Sequence, residues 1–75
     1  MLQANSPTPL HVQLCNQLRR AIDNKELITG SRLPSERRLA AEHGITRRTA
    51  RRAIRMLQLE GYVQVRHRQG YFVAQ

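Results

Sequence analysis

Apolar positions recur along this chain with two different periods, and the change of period divides it into elements. Leu10, Leu14, Leu18, Ala21 and Ile22 recur at helical spacing. At 100° per residue they fall in a stripe about 120° wide, which predicts an amphipathic first helix. Thr8 reads as its N-cap and Pro9 as its first-turn residue, where a missing N–H is harmless. The helix is expected to end near Asn24, with Cys15 at the edge of the stripe and Val12 outside it. "LITGSRLPSE" breaks the period: Gly30 marks a turn and Pro34 disfavours helix at Leu33, so a very short strand around residues 31–33 fits. Ser35 reads as the N-cap of a second helix, with Glu36 at its positive end and Gly44 as its stop. Thr46 caps a third helix that Gly61 closes, with Ile45 as a staple residue before it. A short glycine turn between the second and third helices is the signature of a helix-turn-helix. After Gly61 the period drops to two. "YVQVR" places Val63 and Val65 on one face, "HRQG" supplies a turn, and "YFVA" supplies a second strand. The prediction is a mainly α domain with a small β-hairpin: three helices plus a two- or three-stranded wing.

Composition narrows the class. Seventy-five residues make one small domain, and 40% hydrophobic residues suit a globular core. The apolar inventory reads as fully used by that core, which predicts a monomer in isolation. Residues 1–7 read as a flexible lead-in without the basic and apolar regions of a secretory signal. No apolar run approaches a membrane span. Cys15 is the one cysteine, so no intrachain disulfide forms, which fits a reducing cytoplasm.

Charge changes the picture more. Thirteen Lys and Arg oppose five Asp and Glu, for a net charge of +8. All thirteen except Lys25 are arginine, whose planar fork suits phosphate and guanine edges. The excess lies after residue 30. "TRRTARRAIR" begins at Thr46, and with Arg47 at 0° on a helical wheel, Arg51, Arg55, Arg48 and Arg52 fall at about 40°, 80°, 100° and 140°. Ala53, Leu57, Ala50 and Ile54 fall at about 240°, 280°, 300° and 340°. No acid follows in this helix until Glu60, so no (i, i+4) pair relieves the repulsion. A solvated charged face accounts for a mixture of signs; an unmixed arginine face points to a polyanion.

Other chemistries find less support. His11 and Cys15 stand four apart on the first helix, but no second pair completes a metal site. His43 at a helix end and His67 in the wing suit capping and phosphate contact. No nucleophile triad, phosphate loop or paired carboxylate is visible, so an enzyme and a cofactor are not expected. Tyr62, Tyr71 and Phe72 are the only aromatics, too few to spare for stacking single-stranded bases. Arg19 and Arg20 read as a solvated face. The alternative is a winged-helix protein-interaction module without specific DNA binding.

"PLHVQLCNQLRRAI", "LPSERRLAAEHGITRRTARRAIRMLQLEGYV" and "RHRQGYFVA" together resemble the N-terminal DNA-binding domain of GntR-type bacterial transcription regulators, over about residues 9–74. The resemblance implies a winged helix-turn-helix over residues 8–75 that binds a pseudo-palindromic double-stranded operator as a homodimer. It further implies a cytoplasmic, nucleoid-associated regulator, usually a repressor. A separate C-terminal domain, absent from this chain, would bind a small-molecule effector and support dimerisation. Residue by residue, Arg37 matches a phosphate or base contact. Arg47, Thr49 and Arg51 match recognition-helix contacts, with Arg48 and Arg52 adding charge. Thr46 matches a capping position near phosphate, and Gly70 matches the wing-tip glycine at the minor groove. The family wing usually carries two glycines as G-x-G. Here Arg68 stands in place of the first, gaining a side chain that suits a narrow minor groove.

Overall fold

The computed structural model describes residues 2–74; residues 1 and 75, the outer ends of the lead-in and of the domain, lie outside them. Three helices, α1 (Leu10–Asp23), α2 (Glu36–His43) and α3 (Arg47–Leu59), precede a hairpin of β1 (Val63–Arg66) and β2 (Gly70–Val73). The strands pair antiparallel, from Val63 opposite Val73 to Arg66 opposite Gly70. Residues 31–33 run along the other side of β2. The strand expected there is reduced to one bridge, Arg32 to Phe72. Two hydrogen bonds flank it: Leu33 N–H donates to the Tyr71 carbonyl at 2.8 Å, and Val73 N–H donates to Ser31 at 2.9 Å. The architecture is a winged helix-turn-helix.

The helix ends follow local chemistry, with one correction. Thr8 does not cap α1. Pro9 occupies that position with an extended backbone and no side-chain cap. The proline carbonyl accepts from Val12 and Gln13, which leaves the Thr8 hydroxyl one residue too early to reach the first turn. The Gln13 side chain instead donates to the Thr8 carbonyl at 2.7 Å and to the Gln3 carbonyl at 2.9 Å. That ties the lead-in to the helix, and Leu2 packs against the core. Ser35 and Thr46 cap α2 and α3 as expected, accepting from the backbone N–H of Arg38 and Thr49 respectively. Gly44 ends α2 in the left-handed conformation.

The core lies where the three helices meet the base of the wing. Leu14, Cys15 and Leu18 of α1, Leu33, Leu39 of α2, four residues of α3, and Val63 and Val73 form one buried cluster. Cys15 is fully buried, and burial pushes its thiol pKa up. Val63 and Val65 share one face of β1 as the alternation predicts, but only Val63 is buried and Val65 is 51% exposed. On β1 only Val63 is buried in the core; on β2 Val73 is buried in it and Tyr71 packs against it. Leu59 and Ile28 are also exposed, so the core does not use the whole apolar inventory.

Candidate nucleic-acid interface

α3 separates its residues as the wheel predicts. Ala50, Ala53, Ile54 and Leu57 are at most 1% exposed. Arg47, Arg48, Arg51, Arg52 and Arg55 are all exposed. The two alanines leave room for α1 and α2 to pack closely on α3. The opposite face is then a guanidinium surface one helix wide. At its start the Thr46 hydroxyl is engaged twice. It accepts from Thr49 N–H at 3.1 Å and lies 2.9 Å from the Thr49 hydroxyl. Thr49 is half-buried, at the N-terminal end of the arginine face.

The fold supplies a neutralising acid that the helix itself lacks. Glu36, in the first turn of α2, receives Arg51 Nε at 3.2 Å on each oxygen and Arg51 Nη2 at 3.1 Å on Oε1. The Tyr71 hydroxyl of β2 donates to Oε2 at 2.6 Å. Arg47 Nη2 stands farther off, at 3.7 Å from Oε1. Burial pushes the Glu36 pKa up, but the hydrogen bonds from Arg51 and Tyr71 and the charges of Arg51 and Arg47 bring it below the ordinary carboxylate range. Burial, then the bond to Glu36, raises the Tyr71 pKa. Arg51 presents its Nε/Nη2 edge to the carboxylate, so its terminal Nη1/Nη2 edge remains free as a two-donor fork. The Glu60 carboxylate does not serve the arginine face. It pairs with Arg19 at 2.6 Å, tying α1 to the end of α3. Arg19 also donates to Asn16 and lies over the Tyr62 ring, so it is pinned rather than solvated as the sequence suggested.

The remaining candidates lie on α2 and the wing. Arg37 is exposed at the second position of α2. Gln69 N–H donates to the Arg66 carbonyl at 2.9 Å, which makes residues 66–69 a β-turn with Arg68 at its third position. Arg68 has φ 64°, the left-handed value that a type II turn requires there. It is therefore the apex, whereas Gly70 lies past the turn as the first residue of β2. Arg66 stacks on the Phe72 ring with its guanidinium carbon 4.1 Å from the centroid. Glu36, Tyr71 and Arg66 are the site residues that sequence reasoning missed. Arg66 faces Gly70 across the hairpin, so its diagonal neighbour on the same face is Phe72. The 15-residue separation of Glu36 and Arg51 carries no sequence signal. Among the described residues, no group of three His, Cys, Asp or Glu is placed to hold a metal. No helix among them is long and apolar enough to cross a membrane.

Comparison with known proteins gives a consistent picture. Residues 10–73 match the family model described as bacterial regulatory proteins, gntR family. The chain is 38% identical over 72 residues to the Exu regulon transcriptional regulator of Escherichia coli (strain K12), covering 96% of this chain and 28% of that protein. It is 38% identical over 73 residues to the HTH-type transcriptional repressor NagR of Bacillus subtilis (strain 168), covering 97% of this chain and 30% of that one. The chain thus spans less than a third of these relatives. Among solved structures, YtrA from Sulfolobus acidocaldarius, a GntR-family transcription factor, superposes with a TM-score of 0.92 at 33% identity, covering 100% of this chain and 64% of that one. AraR(DBD) in complex with operator ORX1 superposes with a TM-score of 0.90 at 25% identity, covering 99% of this chain and 93% of that one.

Proposed function

Because the chain belongs to the gntR family of bacterial regulatory proteins, we propose that it is the operator-reading module of a cytoplasmic transcription regulator, acting as a repressor by occupancy. The observation that carries this reading is the α3 surface: five exposed arginines back to back with four fully buried apolar residues. The likeness to AraR(DBD) in complex with operator supports it.

The N-terminal half of α3 enters the major groove. Arg51, braced by Glu36, turns its free fork to guanine O6 and N7, and Arg47 reads beside it. Arg37, Arg48 and Arg52 hold phosphates, Thr46 and Thr49 approach the backbone at the helix start, and Arg68 enters the minor groove with Gly70 behind it. Two copies bind a pseudo-palindrome, pairing on the DNA or through a further domain, and a small-molecule effector acts through that domain. The work is binding; no step requires a cofactor or catalysis.

Selection of bound duplexes from a random pool tests this directly. The expected result is a dyad-related pair of short half-sites containing guanine. Arg51→Ala should then cost about 1–3 kcal/mol at the base it reads and relax preference there. A chain that retards no duplex even at low salt would instead be a protein-interaction module.

A further inference from the structure

We propose that His11 is a phosphate-binding residue that works beside Arg52, so that the surface meeting the DNA backbone continues from α3 onto the first turn of α1. The proposal rests on the DNA-binding reading above, in which Arg52 holds a phosphate, and adds a residue to it.

The position of His11 follows from how α1 packs. His11 stands one turn before Leu14 and Cys15, both fully buried, so it lies on the helix face that packs on α3. It is itself half-buried, at the open end of that seam. The other end is pinned where Arg19 meets Glu60 at 2.6 Å. Eight residues earlier on each helix, roughly 12 Å along either axis, stand His11 and Arg52. The Arg52 charge is felt at His11, in agreement with that register. Arg52 is exposed, and neither it nor His11 pairs with an acid among the described residues. The start of α1 adds to the field. No side chain caps it and its first turn holds no acid, so the positive end of the helix dipole stays open.

Half-burial and the Arg52 charge both disfavour the imidazolium, and they hold the His11 pKa below the ordinary histidine value in the free domain. No negative charge opposes them. On α3 the guanidinium facing His11 is Arg52, with Arg48 one turn beyond. Residues 2–9 carry no ionisable side chain, and the next titratable group on α1 is Cys15, whose buried thiol stays neutral. A phosphate beside Arg52 reverses the balance. It offsets the guanidinium charge and accepts a hydrogen bond from the ring, so it favours the protonated form. The His11 pKa in the complex therefore stands above its value in the free domain. Binding takes up a proton from solvent between these two values, and affinity rises as pH falls through that window. Arg52 contributes at every pH, whereas His11 contributes when protonated. Its target is the phosphate backbone, whose contacts set position and not sequence.

The test is duplex binding by fluorescence anisotropy between pH 5.5 and 7.5, with a selected duplex and a random one. At fixed ionic strength the wild-type advantage over His11→Gln should grow by about tenfold from pH 7.5 to 5.5, equally for both duplexes. At pH 5.5 the slope of log K against log[KCl] should be steeper in wild type than in His11→Gln by about 1, and at pH 7.5 the two slopes should agree. His43 and His67 are present in both proteins, so their titration cancels in the comparison. NMR titration of the His11 ring in the wild-type chain gives a reading that needs no variant: its pKa should rise when duplex is added. In the free domain Arg52→Gln should raise it too. Thermal melting at each pH reports whether the fold is retained. Identical pH profiles in wild type and folded His11→Gln, or a His11 pKa that neither duplex nor Arg52→Gln raises, would overturn the phosphate contact and leave the DNA reading intact. A gain confined to the selected duplex would make His11 a base contact and would overturn it as well. A wild-type chain that binds neither duplex at any pH would overturn the DNA reading itself.

Discussion

Lys25 and Arg68 are the non-glycine residues with positive φ among those described, at 63° and 64°. The conformation costs an L-residue roughly 1–2 kcal/mol relative to glycine. Lys25 ends α1 in the same manner as Gly61 ends α3. In each case the residue two past the helix cap donates back to the carbonyl five before it, Glu26 to Ala21 and Tyr62 to Leu57. The motif is the same and only the side chain differs. Lys25→Gly should therefore stabilise the domain by about 1 kcal/mol, which for a chain this small raises Tm by roughly 4–8 °C. Arg68→Gly should give a similar gain in the melt, because the wing turn also wants glycine at its third position. Its effect on duplex binding should have the opposite sign, since the minor-groove side chain is gone. A binding assay beside the melt separates the two, and a variant that gains in both would remove Arg68 from the interface.

At the scale of elements, Glu36 joins three of them: α2 carries the carboxylate, α3 supplies Arg51 and β2 supplies Tyr71. Its folded pKa is depressed, so the stability it contributes is complete above the ordinary carboxylate range and is lost as pH falls through the folded value. The Tyr71 pKa is raised, so its contribution is complete below the ordinary phenol range and is lost as pH rises through the folded value. Urea midpoints should form a plateau bounded on both sides. Glu36→Gln should flatten the fall below about pH 5, and Tyr71→Phe the fall on the alkaline side. An acid limb identical in wild type and Glu36→Gln would mean the latch contributes nothing. These ties mark where sequence reading stops. Helix periods, the Ser35 and Thr46 caps and the arginine face depend on near neighbours, and all were legible. Thr8 misled because a capping residue was read beside a proline whose own extended backbone already started the helix. At Val65 alternation reveals the face of the strand but not how far the core extends beneath it. The Glu36–Arg51 pair and the packing of the Arg32 guanidinium against Gly70 join residues 15 and 38 positions apart, and no local pattern encodes them.

Over the whole molecule, electrostatics acts at two ranges that respond differently to salt. The folded domain measures 34 × 26 × 20 Å and carries a net charge of +8. At 0.15 M salt the screening length is about 8 Å, so repulsion between separated arginines is strongly screened while contacts near 3 Å are not. The close pairs, Arg19 with Glu60 and Arg51 with Glu36, should therefore persist as salt rises, while the mutual repulsion along α3 fades. Folding stability of the free domain should increase between about 0.05 and 0.5 M KCl, seen as a rising Tm. Duplex binding must move the other way, because each phosphate neutralised releases a counterion. With Arg37, Arg48 and Arg52 on about three phosphates per copy, the slope of log K against log[KCl] should be near −2.7. That corresponds to a loss of roughly 40-fold in affinity between 50 and 200 mM. The two measurements on one preparation constrain each other. A Tm that fell with salt would show that the ion pairs, not the arginine repulsion, dominate the free domain. The cationic face would then hold no net repulsion for DNA to relieve, and the duplex slope would rest on counterion release alone.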